Sequence, residues 1–210
     1  NPNDPTPIIA GNVSFYNESK NGPIPPSPIV SCLGRFKNVN KAVPAHFQNN
    51  DSVILLIGER KNELGGSVYY SLKNELGANV PKPNFEEVRN QIFALTDCID
   101  SGLVLSCHDI ADGGIASALA EMTFRNSIGC NVNIESDLSP DKILFSETGG
   151  FILEVLPKNV DTIKSVFSNY ELGVFEIGST GGESIQINGI TDIFVSETKK
   201  AWTNGLREKL

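Results

Sequence analysis

The sequence predicts a mixed α/β fold of the α+β kind, with one sheet covered by helices. Three observations predict it. Short apolar runs such as Val53-Ile54-Leu55-Leu56-Ile57, bounded by polar or glycine residues, have the length of strands. Phe85, Val88, Ile92, Leu95 and Ile99 recur at alternating intervals of three and four, the period of an amphipathic helix. Strand-like and helix-like stretches then interleave to the end of the chain, with hairpin-like pieces last.

Residues 1–27 are rich in Pro, Asn and Gly and read as an extended arm, with one short apolar step at Ile8-Ile9. Pro23, Pro25, Pro26 and Pro28 exclude a helix there, because proline lacks the backbone donor and restricts the residue before it. Pro28–Phe36 and Ser52–Gly58 read as strands, the second a buried one. Gly66–Leu76 reads as a helix closed by Gly77. The Phe85–Ile99 helix should end near Gly102, and Leu103–Ile110 is strand-like. Ile115, Ala118, Leu119 and Met122 form the apolar stripe of the next helix, and Asp112 is placed to be its N-cap. Phe151–Val155 reads as a strand, and Val160, Ile163 and Phe167 mark another helix. Val174–Ile177, Ser184–Ile187 and Ile193–Val195 suggest short strands before a last helix carrying Trp202 and Leu206.

The composition narrows the function. With 40% hydrophobic and 20% charged residues, the 210-residue chain is ordinary for a globular domain. Its formal net charge of −8 argues against a broad nucleic-acid surface, which needs basic patches. No apolar run reaches the ~20 residues of a membrane helix, and the N-terminus lacks the basic-then-apolar order of a signal peptide. The expectation is a cytoplasmic protein without a membrane or nucleic-acid partner. Cys32, Cys98, Cys107 and Cys130 form no C-x-x-C pair and have only His46 and His108 to join them, so they are expected to be core residues rather than zinc ligands.

The chemistry-bearing segments are glycine-rich. There is no G-x-x-x-x-G-K-[ST] phosphate loop, no G-x-G-x-x-G and no G-x-S-x-G. Gly11-Asn12-Val13-Ser14-Phe15-Tyr16-Asn17-Glu18 offers a flexible backbone, a neutral oxygen ligand and a hydroxyl. One such oxygen suits Mg²⁺, which takes few protein ligands beside substrate phosphates, but from chemistry alone a polar loop satisfying its own turns is the favoured reading. His108-Asp109-Ile110-Ala111-Asp112-Gly113-Gly114 lies between a strand and a helix. It fits an anion site at the helix N-terminus, with His108 and Asp109 at the strand's end, and equally a capped helix after a tight turn. Glu63-Leu64-Gly65-Gly66-Ser67 and the turn from Leu144 to Phe151 (LFSETGGF) are similar and, taken singly, read as structural turns.

Taken together and in order, GNVSFYNES, IPPSP, LGGS, LVLSCHDIADGGIASALAEM and LFSETGG resemble the phosphoribosylformylglycinamidine synthases over nearly the whole chain, from about Thr6 on. GNVSFYNE is the specific element. The H-D-x-x-D-G-G helix start is shared with aminoimidazole ribonucleotide synthetase and selenophosphate synthetase. The resemblance implies a C-terminal domain of the aminoimidazole ribonucleotide synthetase type, with residues 1–27 as the end of the second N-type domain and 28–210 as the C-type domain. It implies part of an ATP- and Mg²⁺-dependent ligase that uses glutamine-derived ammonia to make formylglycinamidine ribonucleotide. By motif, Gly11 matches an ATP-contacting glycine, Asn12 a Mg²⁺ ligand and Ser14 a substrate-contacting serine. His108, Asp109 and Asp112 match a cleft of related architecture, and no residue matches the family's catalytic histidines. The implied partners are the remaining synthase domains, a separate glutaminase and small accessory subunits. Two departures stand out. Asn1-Pro2-Asn3-Asp4-Pro5 lies closer to GNVS than the family's N-P-x-x-P element does, and Gly149-Gly150-Phe151 lacks the Arg often found before the aromatic residue.

Overall fold

A computed structural model describes residues 6–12, 18–24 and 29–205 of the chain. The chain divides into two compact units, Asn1–Lys37 and Asn38–Leu210. In the first, strands β1 (Glu18–Ser19) and β2 (Gly22–Pro23) form a two-residue antiparallel hairpin. The Ser19 hydroxyl closes the turn, donating to the Gly22 carbonyl and accepting from the Asn21 N–H, each at 3.1 Å. The strand expected at Pro28–Phe36 is absent from its described part, residues 29–36. Ile29 and Leu33 are 93% and 90% exposed, so the stretch has strand-like composition but no ladder or core to hold it.

The second unit holds a seven-stranded sheet. Its strands are β3 (Val53–Ile57), β4 (Val104–Asp109), β5 (Cys130–Val132), β6 (Phe151–Val155), β7 (Val174–Thr180), β8 (Ser184–Ile187) and β9 (Thr191–Phe194). Their spatial order is β4-β6-β3-β7-β5-β8-β9, antiparallel except for the parallel β5–β8 pair. The helices are α1 (Val68–Ser71), α2 (Phe85–Asp100), α3 (Gly114–Thr123), α4 (Pro140–Phe145), α5 (Val160–Ser168) and α6 (Val195–Asn204).

Strand β3 shows why its sequence is a continuous apolar run. Ile54 and Leu56 pack in one core with Ile115, Leu119 and Met122 of α3 and Val195 of α6. Leu55 and Ile57 pack in the other with Ala94 and Cys98 of α2 and Ile163 and Phe167 of α5. Both faces are covered, so no position in the run can be polar. The strand pairs antiparallel on both sides, so the apolar run marks burial here and not a parallel sheet.

Two helices differ from expectation. Helix α2 has the predicted span, capped by Asn84, whose Oδ1 accepts the Glu86 and Glu87 N–H groups at 3.1 and 3.3 Å. Its buried stripe, however, is Gln91, Ala94, Leu95 and Cys98, while Phe85 is 82% exposed and Ile92 46%. Of the residues expected to form the stripe, only Leu95 is buried, beside the small Ala94 and Cys98, while Phe85, Val88 and Ile92 lie outside. The helix expected over Gly66–Leu76 shrinks to the single turn of α1. Leu72 and Leu76 are exposed, and Asn74 adopts a left-handed φ of 56°, which ends the helix early. Strand β5 and helix α4 have no counterpart in the sequence reading.

The open edge of β4 is covered by the segment before β3. The Cys107 N–H donates to the Pro44 carbonyl (3.0 Å), and the Phe47 N–H donates to the Met122 carbonyl (2.8 Å). Glu154, wholly buried in β6, fixes the same segment. Its carboxylate accepts the N–H groups of Gln48 (2.8 Å) and Asn49 (2.9 Å) and the Ser106 hydroxyl (2.8 Å).

Candidate functional site

Three glycine-rich segments that are weak individually meet at one carboxylate. Glu147 stands in the turn between α4 and β6, and its Oε1 accepts the Gly113 N–H at the start of α3 and the Val68 N–H at the start of α1, both at 2.9 Å. Helix N-termini carry N–H groups without intrahelical partners, and a negative group there satisfies them. The Glu147 carboxylate therefore joins the segments after Leu64-Gly65-Gly66-Ser67 and His108–Gly114. Neither the sequence reading nor the resemblance singled out Glu147. The signal available was its place in a glycine-rich turn, but which helix it would cap is a tertiary fact.

The structure corrects the role of Asp112. The N-cap of α3 is Gly113, left-handed at φ 78°, without a side-chain cap, and Asp112 is exposed. Glu147 supplies from another segment the acceptor expected from Asp112. The two glycines are required by space as well as conformation. A Cβ on Gly114 would lie 2.6 Å from the Leu144 carbonyl oxygen, and one on Gly113 would lie 2.0 Å from the Ser117 hydroxyl.

The turn bearing Glu147 is latched by Arg60, which follows β3 and is 8% exposed. Its Nη1 donates to the Ser146 carbonyl (3.4 Å) and its Nη2 to the Gly149 carbonyl. Burial lowers the guanidinium pKa to about 10, against a smaller opposing effect of the Glu63 carboxylate. The turn lacks an Arg before Phe151, yet this guanidinium reaches it from elsewhere in the chain. The Ser146 and Thr148 hydroxyls bond each other at 2.6 Å.

His108 lies at the end of β4, with its side chain 18% exposed. Its Nδ1 is 2.7 Å from the Asp109 carbonyl oxygen and its Nε2 is 3.1 Å from Glu121 Oε2 on α3. Both ring nitrogens are engaged by the protein, and neither hydrogen bond runs to Glu147. Asp109 is exposed. The expected cleft residues therefore do not converge: Glu147 closes the α3 start, and His108 is turned along α3 to Glu121.

In the arm, Gly11 and Asn12 are exposed, and a Cβ on Gly11 would meet nothing within 4 Å. Ser14 lies outside the described residues. Cys32 is exposed, contrary to the expected core placement, whereas the other three thiols are buried or half-buried and not poised as ligands. Burial pushes Cys98 up to about 11 and Cys107 and Cys130 up to about 12, with the Asp97 and Asp109 carboxylates adding to the first two. Among the described residues no three His, Cys, Asp or Glu side chains form a metal-binding group. A single neutral oxygen such as that of Asn12 fits a Mg²⁺ that keeps phosphate and water ligands, not a closed protein cage.

A helix-covered, largely antiparallel sheet, with glycine turns gathered at the helix starts, is the architecture of a C-terminal domain from the aminoimidazole ribonucleotide synthetase class. The profile of "AIR synthase related protein, C-terminal domain" matches residues 49–188, and the chain belongs to that family. It is 36% identical to the phosphoribosylformylglycinamidine synthase subunit PurL of Methanothrix thermoacetophila, over all of this chain and 28% of that protein. It is also 36% identical to the same subunit of Thermoplasma volcanium, over 95% of this chain and 27% of that one. The chain thus spans somewhat over a quarter of the length of these relatives. Thermotoga maritima PurL complexed with FGAR superposes with a TM-score of 0.65 at 19% identity, covering 77% of this chain and 30% of that one. The same protein complexed with ATP gives 0.61 at 18%, covering 77% and 28%. These two likenesses show the fold. No helix among the described residues is long and apolar enough to cross a membrane.

Proposed function

We propose that the chain is the C-type domain (28–210) of a phosphoribosylformylglycinamidine synthase, preceded by an arm (1–27) from the end of its second N-type domain. The reaction is the ATP-dependent conversion of formylglycinamide ribonucleotide to the amidine in purine biosynthesis, with glutamine-derived ammonia as nitrogen donor. The observation that carries the reading is identity of 36% to a PurL subunit across the full chain. The proposed setting is the cytoplasm, with the remaining synthase domains, a separate glutaminase and small accessory subunits as partners. A solved structure of similar fold is named "PurLQS" from Thermotoga maritima, and that name supports a multisubunit setting.

Within this reading Gly11 contacts ATP, Asn12 gives Mg²⁺ one oxygen beside the ATP phosphates, and Ser14 contacts substrate. The metal, when bound, offsets the charge that develops in phosphoryl transfer. The chain's own part is to present the loop's oxygen and hydroxyl, with the chemistry completed by other domains. The test is steady-state kinetics with Mg²⁺ titration in the complete enzyme. Asn12→Ala lowers turnover and weakens the Mg²⁺ response, and Ser14→Ala mainly raises KM. Wild-type kinetics in both variants would leave the loop a linker.

A second reading is a non-catalytic module, scaffolding or auxiliary-nucleotide-binding, and one feature of the His108–Gly114 segment favours its scaffolding form. Glu147 already occupies the α3 N-terminus, and Glu121 and the Asp109 carbonyl engage His108. ADP titrated into the isolated chain separates the two. Tight binding that survives loss of Gly11–Ser14 supports the auxiliary module.

A further inference from the structure

Beside β7 the sheet opens into a cleft of about 750 Å³ between the end of β3, the segment after β5, and residues 174–178. The opening has a local cause. Pairing of β5 with β7 runs from Cys130↔Thr180 to Val132↔Gly178, and the last bond is from the Asn133 N–H to the Ile177 carbonyl (2.7 Å). The chain then leaves β7, because the Asn188 amide takes over the backbone of Ile134. Its Oδ1 accepts the Ile134 N–H (2.6 Å) and its Nδ2 donates to the Ile134 carbonyl (2.9 Å). Among the described residues, 174–176 of β7 keep β3 on one side and have no strand on the other.

The cleft walls are chemically specific. Leu56, Ile134 and Phe175 give it an apolar side, and Phe175 is 43% exposed for a large side chain. Arg60 lines it while almost fully buried, its guanidinium turned to the Ser146 and Gly149 carbonyls. Glu59 and Glu135 are exposed in the same lining, whereas Glu176 is held by Lys164 of α5 at 3.5 Å. The adjoining cleft of about 510 Å³ shares Gly58, Glu59 and Phe175 and adds Glu86, Glu87 and Glu171 beside one cation, Lys61, with Glu86 already paired to Arg89 at 3.3 Å.

We propose that this cleft seats an extended basic segment of a separate polypeptide, added as a strand along residues 174–176. An open strand edge binds extended backbone, and the apolar wall and the carboxylates select alternate side chains. The Lys or Arg side chains of the segment would meet Glu59 and Glu135. A free anion is disfavoured by the carboxylates. A small cation would use them but leave the strand edge and the apolar wall unused. The inference does not depend on the synthase reading, since it uses only this domain's own edge and charges.

The experiment is fluorescence anisotropy with the whole 210-residue chain and a labelled hexapeptide of alternating lysine and valine. Saturable binding is expected, weakened about tenfold or more by the Glu59→Lys/Glu135→Lys double variant and to a similar extent by N-methylating the peptide backbone. A charge-matched control, Glu183→Lys/Glu197→Lys, leaves binding unchanged. The proposal is overturned by no binding at millimolar peptide, equal binding of a glutamate–valine hexapeptide, or equal loss in the control. Full competition by free lysine at matched charge concentration, which would mark a small-cation site, also overturns it.

Discussion

Glu147 and Glu154 flank the Gly149-Gly150 turn, and each receives N–H groups from segments distant in sequence. Glu154 is completely buried in a central strand, and its two oxygens divide three donors between them. Glu147 is half-buried in a turn, and both its N–H donors converge on one oxygen. The first carboxylate fastens the segment that covers the β4 edge. The second closes the starts of two helices where water reaches. The difference shows that one kind of hydrogen bond can be an internal fastening or an exchangeable closure, depending on what replaces it when it breaks.

The sharpest way to break this contrast is to remove Glu154. Glu154→Ala leaves two backbone donors and a hydroxyl without their acceptor, and should cost about 3 to 5 kcal/mol of stability by denaturant titration. Glu154→Gln keeps one acceptor and should cost clearly less. A loss under about 1 kcal/mol for the alanine variant would show that water enters this site and that the contrast with Glu147 is false.

A second variant tests whether the glycine cluster is as tightly built as its contacts say. Gly114→Ala places a Cβ against the Leu144 carbonyl at a φ of +67°, whereas a Cβ on Gly149, at +86°, meets nothing within 4 Å. The first should cost about 2 to 3 kcal/mol, from strain plus collision, and the second about 1, from backbone strain alone. Equal losses in thermal melts would mean that the turn rearranges freely around α3.

Glu147 itself should matter less to stability. Glu147→Gln retains an acceptor and should change stability by less than about 0.5 kcal/mol, while Glu147→Ala should cost about 1, since water can reach the freed N–H groups. Hydrogen exchange at Gly113 and Val68 is the sharper readout. Both amides should exchange faster in the alanine variant, and unchanged rates would show that another group caps them.

How much of this was legible depended on whether the signal was local. Strand β3 and helices α3 and α5 follow from apolar periodicity, and their residues face the cores as read. Helix α2 was legible in span but not in face, because Phe85, Val88 and Ile92 share the spacing of the true stripe and only the sheet selects Ala94 and Cys98. β5 is three residues long with one exposed position, too short to show a period. The glycine segments were visible one by one. Their convergence was not, because the acceptor that joins them comes from a segment far along the chain. Asp112 had the right residue type for a cap, but a left-handed Gly113 intervenes and carries the chain past it.

The smallest expected effect is a pH dependence on the Glu154 side of the comparison. His46 lies in the segment that Glu154 fastens. Desolvation lowers its pKa below the ordinary 6.5, the Arg125 charge lowers it further, and Glu154 partly opposes both. A histidine whose folded pKa is depressed binds its proton more readily in the unfolded chain. Its linkage therefore leaves stability flat above about pH 7.5. Stability then falls as pH drops through 6.5 and levels out once the folded state also titrates. The residue is partly exposed, so screening should hold the loss well under 1 kcal/mol. The measurement is the pH 7 to 5 change in stability of wild type minus that of His46→Gln, which cancels the carboxylates common to both. Arg125→Gln should shrink this difference by raising the folded pKa, whereas Glu147→Gln should leave it unchanged. A difference of opposite sign would mean that the Glu154 attraction outweighs burial and Arg125, and that the segment is held partly by a charge pair.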